Sequence, residues 1–419
     1  MPVQTHAGPG CPISKLAKDF DALDLADPFP FYARARAEEP VFYDPATGYW
    51  VVSRYDDVKA VFENWQGFSA DLAQAPVKPF CAAAKAVMAA GGFTAYSGLS
   101  GRIPPDHTRI RKIAQGAFSP RRFKAIEPQI RAIMTRFIDG FAARGRCEFV
   151  KEFSYEVPAC VILTLLGAPL SDVAKAKRWA ESRAMMTWGS IADEEQVRRA
   201  HEMVEYWQYC QDIVRLRHAT ATDDLPGDLV RLQGEGAEIS DHEIASICYS
   251  ALFAGHETTT NLMTSGVREL LRQGDQWPQL CANADLIPRA VDEMLRTNPS
   301  VITWRRRAVA PAVVGGIDVP KDAKMLLLLG SANRDESKFD NSEKIDVTRK
   351  PANTHLSFGY GIHYCLGAQL AKLESTVMLQ ELTRRLPGLR LKTGQDFEFA
   401  RTMSFRIPSA LHLEWNHAA

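Results

Sequence analysis

The residues with the most chemistry in them are Phe358-Gly359-Tyr360-Gly361-Ile362-His363-Tyr364-Cys365-Leu366-Gly367. One cysteine stands behind two glycines and a histidine, and ahead of a third glycine, at the start of a helical pattern. Glycines at 359 and 361 can take positive φ and turn backbone N–H groups toward the sulfur, while the following helix offers the positive end of its dipole. Both effects lower a thiol pKa and favour a thiolate able to bind a metal. The alternative is a tight loop around a buried structural cysteine, the commoner fate of a lone Cys. A second polar concentration, Ala254-Gly255-His256-Glu257-Thr258-Thr259-Thr260, interrupts the apolar run from Ser240 to Gln273. It is poor helix material, the glycine alone costing about 1 kcal/mol relative to alanine. A third motif, Glu293-Met294-Leu295-Arg296, is an i, i+3 acid–base pair that by itself reads as a solvated surface bridge.

The cysteine loop fixes six positions, Phe358, Gly359, Gly361, His363, Cys365 and Gly367. Ordinary residue frequencies make their coincidence a chance of roughly 10⁻⁵ to 10⁻⁶ in a chain this long. The loop closely resembles the haem-binding loop of the cytochrome P450 superfamily, in which the cysteine is the axial thiolate of the haem iron. The resemblance runs from Tyr49-Trp50-Val51-Val52-Ser53-Arg54-Tyr55 to Ser404-Phe405-Arg406. It is closest to soluble bacterial members, in particular the haem domains of self-sufficient members fused to a reductase.

The resemblance implies haem b, with Cys365 as the metal ligand and Phe358, Gly359, Gly367 and Ala254 against the cofactor. It implies that Glu257 feeds protons and that Thr258 holds bound oxygen and its waters. The alternative for Thr258 is a hydroxyl that back-bonds the carbonyl four residues earlier. His256 reads as a helix-packing residue. By position, the haem propionates would meet His107, Arg111, His355 and Arg306, with the register among Arg305, Arg306 and Arg307 left open. Glu293 and Arg296 match the family's Glu-x-x-Arg pair, and Arg349 its third, structural partner, although Ile345 stands where Phe usually precedes Asp346.

The elements that must position these groups follow from periodicity. Val41 to Arg54 suggests a hairpin around Asp44, Pro45 and Gly48, and Ala70 to Ile103 reads as a long loop decorated with Phe80, Phe93 and Tyr96. From His107 to Thr297 the pattern is almost wholly helical, with Ser240-x-x-Glu243 forming a capping box. Strand-like runs return from Thr303 to Leu329, Leu366 to Leu386 is a last long helix, and Leu389 to Trp415 looks like hairpins. The fold class is mostly α with a smaller β-rich side. In the family's terms it is a triangular prism with haem between the long distal helix and the cysteine-bearing proximal helix. Residues 1–15 read as a flexible tail and 16–419 as a single domain.

Composition narrows the partners. Fifty Lys+Arg balance fifty Asp+Glu, so nothing draws the chain globally to nucleic acid or anionic lipid. No stretch reaches the roughly 20 apolar residues a membrane helix needs. The eight cysteines contain no C-x-x-C pair and no apolar leader precedes them, which suggests reduced thiols and a cytoplasmic location. The chain ends at Ala419, directly after the expected haem fold, so electrons are expected from an external ferredoxin and an NAD(P)H-dependent reductase. A basic patch of Arg109, Lys112, Arg121, Arg122, Lys124 and Lys372 would receive the ferredoxin.

The resulting expectation is a monooxygenase that uses O₂ on a small apolar substrate. Its rivals are a peroxide-driven peroxygenase, which would be expected to lack the acid–Thr pair, and a non-catalytic haem sensor. The candidate pocket wall is Phe80, Phe93, Tyr96, Leu252, Ala254, Val301, Ile302 and Met403, with no cation in sight. That suggests an uncharged aromatic or branched ether, hydroxylated or O-dealkylated, with a terpene or fatty acid as the competing substrate.

Overall fold

The computed structural model describes residues 14–95, 98–351 and 353–416. Its centre is the helix Asp241–Arg272, whose Ser240–Glu243 capping box forms in both directions. Asp241 and Glu243 in the first turn and Arg272 in the last complement the helix dipole. At 1.5 Å per residue these 32 residues span about 48 Å. The polar segment at 254–260 stays helical inside a packed helix: Val157–Leu165, Val173–Trp188, Asp193–Ala219, Ile287–Thr297 and Ala368–Arg385 all pack against Asp241–Arg272, with Ile162 against Gly255 and Lys177 on Glu257 at the segment itself. Tertiary burial outweighs the local propensity there.

Five strands form the β-rich side, in the order Val41–Asp44, Tyr49–Val52, Lys324–Leu328, Thr303–Ala308, Phe68–Ser69. The first two pair antiparallel from Val41↔Val52 to Asp44↔Tyr49 as the expected hairpin. Gly48 at φ +74° closes its turn, and the Asp44 carboxylate accepts from the amides of Ala46 and Thr47. The strand Thr303–Ala308 runs antiparallel to Lys324–Leu328 and brings its arginines to the edge of the helical body.

Three local readings change. The segment 70–103 is not all loop. Cys81 caps a helix, Ala82–Ala90, whose alanines fit closely against Asp193–Ala219. The last long helix begins at Ala368, with Gly367 as its N-cap, so Cys365 precedes the helix instead of opening it. Between 389 and 415 there are two short strands, Arg390–Leu391 and His412–Glu414, which pair with each other and, through the second, with Arg146–Glu148. Of the expected tail, residues 1–13 lie outside the described residues. Lys15 is anchored through its amide to Glu39 at 3.1 Å. No helix among the described residues is long and apolar enough to cross a membrane.

The acid–base pair that alone reads as a surface bridge lies in the core. Arg296 donates to both oxygens of Glu293 at 2.6 and 2.9 Å, and both side chains are 0% exposed. The remaining guanidinium hydrogens meet the carbonyls of Asn333, Ser342 and Lys344, while Arg349 reaches Glu293 at 3.0 Å. The Asp346 amide donates to the other Glu293 oxygen at 2.9 Å. One buried carboxylate thus ties the helix Ile287–Thr297 to the irregular meander that leads into the cysteine loop. Replacing one partner of a buried pair leaves the other uncompensated, at a cost of about 3–5 kcal/mol. Arg296→Ala should lower the unfolding free energy by that order in a denaturant titration, whereas a change under about 1 kcal/mol would mean the cluster is not the lock it looks like.

Candidate active site

One cavity lies between the long helix and the cysteine loop. The helix contributes Ile247, Ala251, Ala254, Thr258 and Leu262, with Ser250, Gly255 and Thr259 beside them, a stripe at i, i+3, i+4 and i+7 spacing. From the facing side come Phe358, Gly359, His363, Cys365 and Gly367. The Cys365 amide donates to the Phe358 carbonyl at 2.9 Å and closes the loop. Gly359 and Gly361 take φ of +70° and +69°, and a Cβ at Gly361 would stand 3.0 Å from the Phe62 carbonyl oxygen. These are the two positions where the turn requires glycine.

Burial pushes the Cys365 thiol up, against the expectation that the loop alone would favour a thiolate. The backbone N–H groups of Gly367 and Ala368 and the Arg111 guanidinium pull it the other way. The loop therefore aims three stabilising groups at a sulfur in an apolar setting, and a bound metal cation would complete the deprotonation.

One end of the cavity is electropositive. Arg306 is 2% exposed and Arg111 is partly buried, and among the described residues neither meets a carboxylate within 4 Å. Arg111 donates to the Tyr364 carbonyl at 2.6 Å and Arg306 to the Arg305 carbonyl at 2.9 Å. Beside them the rings of His107 and His363 lie 4.1 Å apart, and both nitrogens of His107 and Nδ1 of His363 have no hydrogen-bond partner among the described residues. Burial, then Arg111 and Arg306, push His107 down to about 4. Burial, then Arg306, His107 and Arg111, push His363 down to about 3. Two guanidiniums and two unsatisfied imidazoles require anionic acceptors, which the two propionates of a haem would supply. The donor set, the sulfur and the cavity between Ala254 and Cys365 fit that cofactor.

On the long helix Thr258 lines the cavity, and Glu257 lies beside it, off the cavity lining. The Thr258 hydroxyl donates to the Ala254 carbonyl at 2.7 Å, the back-bond of the simpler reading, which leaves its lone pairs free to accept from the cavity side. The Thr258 carbonyl in turn accepts from the Ser300 hydroxyl at 2.6 Å. Glu257 lies alongside, with Lys177 Nζ 2.8 Å from Oε1 and His256 Nε2 3.2 Å from the same oxygen. Lys177 and His256 outweigh the effect of burial and hold the Glu257 carboxyl down at about 2.

The family model for cytochrome P450 matches residues 278–387. The mycinamicin IV hydroxylase/epoxidase of Micromonospora griseorubida is 32% identical over 87% of this chain and 89% of its own length. The chain belongs to the cytochrome P450 family. As a P450 it is a monooxygenase with haem b as its cofactor. A solved structure of cytochrome P450 CREJ in complex with (4-ethylphenyl) dihydrogen phosphate is 50% identical, covering 96% of this chain and 100% of that one, at a TM-score of 0.93. An intact type IV self-sufficient P450 monooxygenase is 36% identical at the same TM-score of 0.93, and the chain spans 54% of its length.

Against this P450 site the expectations divide clearly. Arg111, Ala254, Arg306, Phe358, Gly359, Cys365 and Gly367 all line the cavity, and His107 stands behind His363. The strand's alternation resolves the arginine register: Trp304 and Arg306 face the cavity, Arg305 donates to the Ala73 carbonyl on the other side, and Arg307 pairs with Asp71 and Asp322. His355 is a correction. Its Nε2 lies 3.6 Å from Asp292, which Lys372 also holds at 2.6 Å, so the ring faces away and His363, two residues before the cysteine, stands at the electropositive end.

The expected substrate wall needs more revision. Val301 lines the cavity, and Tyr96 lies outside the described residues. Leu252 falls one residue off the helix stripe and is core. Ile302 and Met403 are buried with Tyr32 on the far side of the sheet, Phe80 packs against the helix Ala82–Ala90, and Phe93 lies against Trp207 and Tyr249. The actual aromatic wall is Phe253, Trp188, Trp304 and Phe405. It also holds the cation whose absence the sequence suggested, Arg183 on the helix Val173–Trp188. On the surface, Arg109, Arg122 and Lys372 are each tied to internal carboxylates, Glu243, Asp228 and Asp292. Lys112, Arg121 and Lys124 stay exposed with no such partner among the described residues.

A histidine kept neutral by the fold binds fewer protons than its unfolded counterpart, so its contribution is complete above the ordinary value of 6.5 and declines as pH falls toward the folded value. The haem-free protein should therefore lose stability between pH 6.5 and about 4, by at most about 1.4 kcal/mol per pH unit for each imidazole. Urea unfolding at successive pH values measures this, and His107→Gln should flatten the slope. Added haem should flatten it too, because propionates beside the rings favour their protonated forms. A slope unchanged in both cases would remove the two histidines from the electropositive end.

Proposed function

We propose that this P450 oxidises a small aromatic substrate carrying an anionic group, an aryl phosphate first among them, at an alkyl or alkoxy substituent on the ring. Arg183 carries the reading. It is 5% exposed, lines the cavity, and among the described residues has no carboxylate within 4 Å. Its guanidinium donates to the Tyr249 carbonyl at 2.8 Å and the Gln74 amide oxygen at 3.3 Å, and lies over the rings of Tyr249 and Phe253. A buried cation without an anion is costly, and a phosphate monoester would neutralise it. Gln74, hydrogen-bonded to Ser100 at 2.8 Å, and the buried Ser250 hydroxyl place further polar groups in the same wall. The aryl phosphate bound by cytochrome P450 CREJ supports the same class.

The aromatic remainder of the wall suits the ring and keeps hydroxylation or O-dealkylation as the reaction. The uncharged-ether reading depended on a wall without a cation, and Arg183 removes that ground. Haem with a thiolate ligand supplies oxygen activation and transfer of one oxygen atom to the substrate. In this reading Cys365 is the axial ligand, and Arg111, Arg306, His107 and His363 hold the propionates. Glu257 passes protons toward the cavity, and Thr258 accepts a hydrogen bond from water there. Electrons come from a ferredoxin and an NAD(P)H-dependent reductase, docking over Lys112, Arg121 and Lys124, in a cytoplasmic protein whose residues 16–419 make one haem domain.

Two measurements test the reading. 4-Alkylphenyl phosphates should shift the haem absorption band at lower concentration than the matching phenols or methoxybenzenes. Arg183→Gln should weaken the phosphates by about ten- to a hundredfold, the loss of one charge-assisted hydrogen bond, while leaving the neutral compounds nearly unchanged. Equal affinity for phosphates and methoxybenzenes would restore the neutral ether. Separately, the reduced protein with carbon monoxide should show the red-shifted thiolate band and Cys365→Ala should lose it; retention in the variant would end the axial assignment.

A further inference from the structure

Arg183 brings one positive charge to the aromatic end of the cavity, and a phosphate monoester carries two negative charges above its second ionisation, at a pH of about 6. Guanidinium and dianion together leave one charge uncompensated beside Trp188, Phe253, Trp304 and Phe405. An unpaired buried charge is costly, and the group that bears it neutralises by taking up a proton where its chemistry allows.

The neutral groups around Arg183 suit a hydrogen phosphate better than a dianion. Arg183 can only donate, so the atom of Gln74 that faces it at 3.3 Å is the amide oxygen, and the amide nitrogen turns to Ser100 Oγ at 2.8 Å. In the cavity wall Gln74 therefore presents an acceptor held by a single long hydrogen bond, with a lone pair to spare. A dianion has no hydrogen to give it. The Tyr249 carbonyl, the other oxygen on the guanidinium, accepts from Arg183 at 2.8 Å and from the Tyr206 hydroxyl as well, so it is saturated. On the donor side, Ser250 lines the cavity with a buried hydroxyl that has no partner among the described residues. A cation, a spare hydroxyl donor and a spare acceptor match a phosphate with one oxygen on Arg183, one on Ser250 and a P–OH on Gln74.

The titratable groups that face Arg183 do not supply the missing charge. Tyr249 from the long helix and Tyr206 and Cys210 from the helix Asp193–Ala219 are all pushed up, by burial above all, and stay neutral. Arg305 donates to the Ala73 carbonyl at 3.1 Å from the far side of the strand Thr303–Ala308 and is not part of the cavity wall. On the helix that carries Arg183, Lys177 is already neutralised by Glu257. Arg111 and Arg306 stand at the end suited to the cofactor propionates.

We propose that the site takes its aryl phosphate as the monoanion, with the P–OH hydrogen donated to Gln74 Oε1, so that a substrate which is dianionic in solution gains one proton from the medium as it binds. One dianion and one proton enter, one monoanion is bound, and no bond of the ester is made or broken. The proposal rests on the reading of Arg183 as the partner of an anionic group and adds the charge state in which that group is recognised. It makes Gln74 a specificity residue, which separates phosphate monoesters from sulfate esters that carry the same single charge and no hydrogen.

Calorimetry on the haem-loaded protein tests it, with 4-ethylphenyl phosphate and 4-ethylphenyl sulfate titrated in buffers of different ionisation enthalpy. At about pH 8 the phosphate should take up close to one proton per site, and at about pH 5 almost none, since it is already the monoanion there. Above a pH of about 6 its affinity should fall, relative to that of the sulfate, by up to about tenfold per pH unit. The sulfate does not change charge and so reports any titration of the protein itself. Gln74→Leu removes the acceptor and should weaken the phosphate by about three- to tenfold at about pH 5 while the sulfate hardly moves.

Tight binding of the phosphate at about pH 8 with no proton uptake, and an affinity ratio to the sulfate that is flat with pH, would overturn the proposal and leave the anionic reading in place. Proton uptake with a ratio unaltered by Gln74→Leu would overturn it too, because the hydrogen then lies elsewhere. If that variant does not fold, the wild-type proton count and pH dependence decide alone. A phosphate bound no more tightly than 4-ethylanisole at any pH would bring down the reading of Arg183 and the proposal with it.

Discussion

In the proposed reading Cys365 holds the haem iron, so its sulfur has to be held still at the cavity wall, and the loop bearing it has only the 3₁₀ turn Gly361–His363 as secondary structure of its own. Rigidity is imported from the buried ion pair of Glu293 and Arg296. Because that pair has 0% exposure, each charge would be strongly destabilised alone, and together they leave no unsatisfied oxygen or hydrogen that water could reach. The carbonyls of Asn333, Ser342 and Lys344, the Asp346 amide and Arg349 are recruited to complete the shell. Asn333 then donates to the Ser357 hydroxyl and accepts from the Leu356 amide, and that hydroxyl donates to the Leu295 carbonyl. A chain of hydrogen bonds thus leads from the ion pair to the residue before Phe358.

Charge distribution around the cavity follows the same economy of partners. Several cations facing away from the cavity are neutralised within the chain, as Lys177 is by Glu257 and Arg307 by Asp71. Three cavity arginines, Arg111, Arg306 and Arg183, meet no carboxylate within 4 Å among the described residues and donate to carbonyl or amide oxygens. Two stand at the end suited to cofactor propionates and one at the aromatic end. Ligands with negative charge at both ends of the site would complete the electrostatics that the fold leaves open, and would hold the substrate at a fixed distance from the thiolate.

The long helix meets two demands that conflict locally. It must be continuous enough to span the molecule, yet present small and polar residues at one level over the cofactor. Packing of five helices along its length keeps the helix continuous through 254–260 despite a glycine and three threonines, while the carbonyl of Thr258 accepts an extra hydrogen bond from Ser300. His256 and Glu257 turn to the side of the helix where Lys177 waits, so the ionic partners of the distal site come from a helix remote in sequence.

Several features were legible in the chain itself because they depend on contiguous residues. Positive-φ glycines around Cys365, the capping box at Ser240, the hairpin at Gly48 and the Glu-x-x-Arg spacing are local chemistry, and each forms as its residue types require. Whatever depended on which way a side chain points after packing was not legible. Leu252 and Ile302 miss the cavity because a single step along a helix or strand changes the face, and the register of three consecutive arginines is decided by the strand they pair with. His355 and His363 are both histidines close to the cysteine, and only the approach of Asp292 to one ring separates them. Arg183 and Lys177 carry no signal in sequence, since each lies within an ordinary amphipathic helix. They acquire meaning because that helix crosses the distal one and brings a cation to the cavity wall and another to Glu257, a juxtaposition made by long-range packing that no local pattern records.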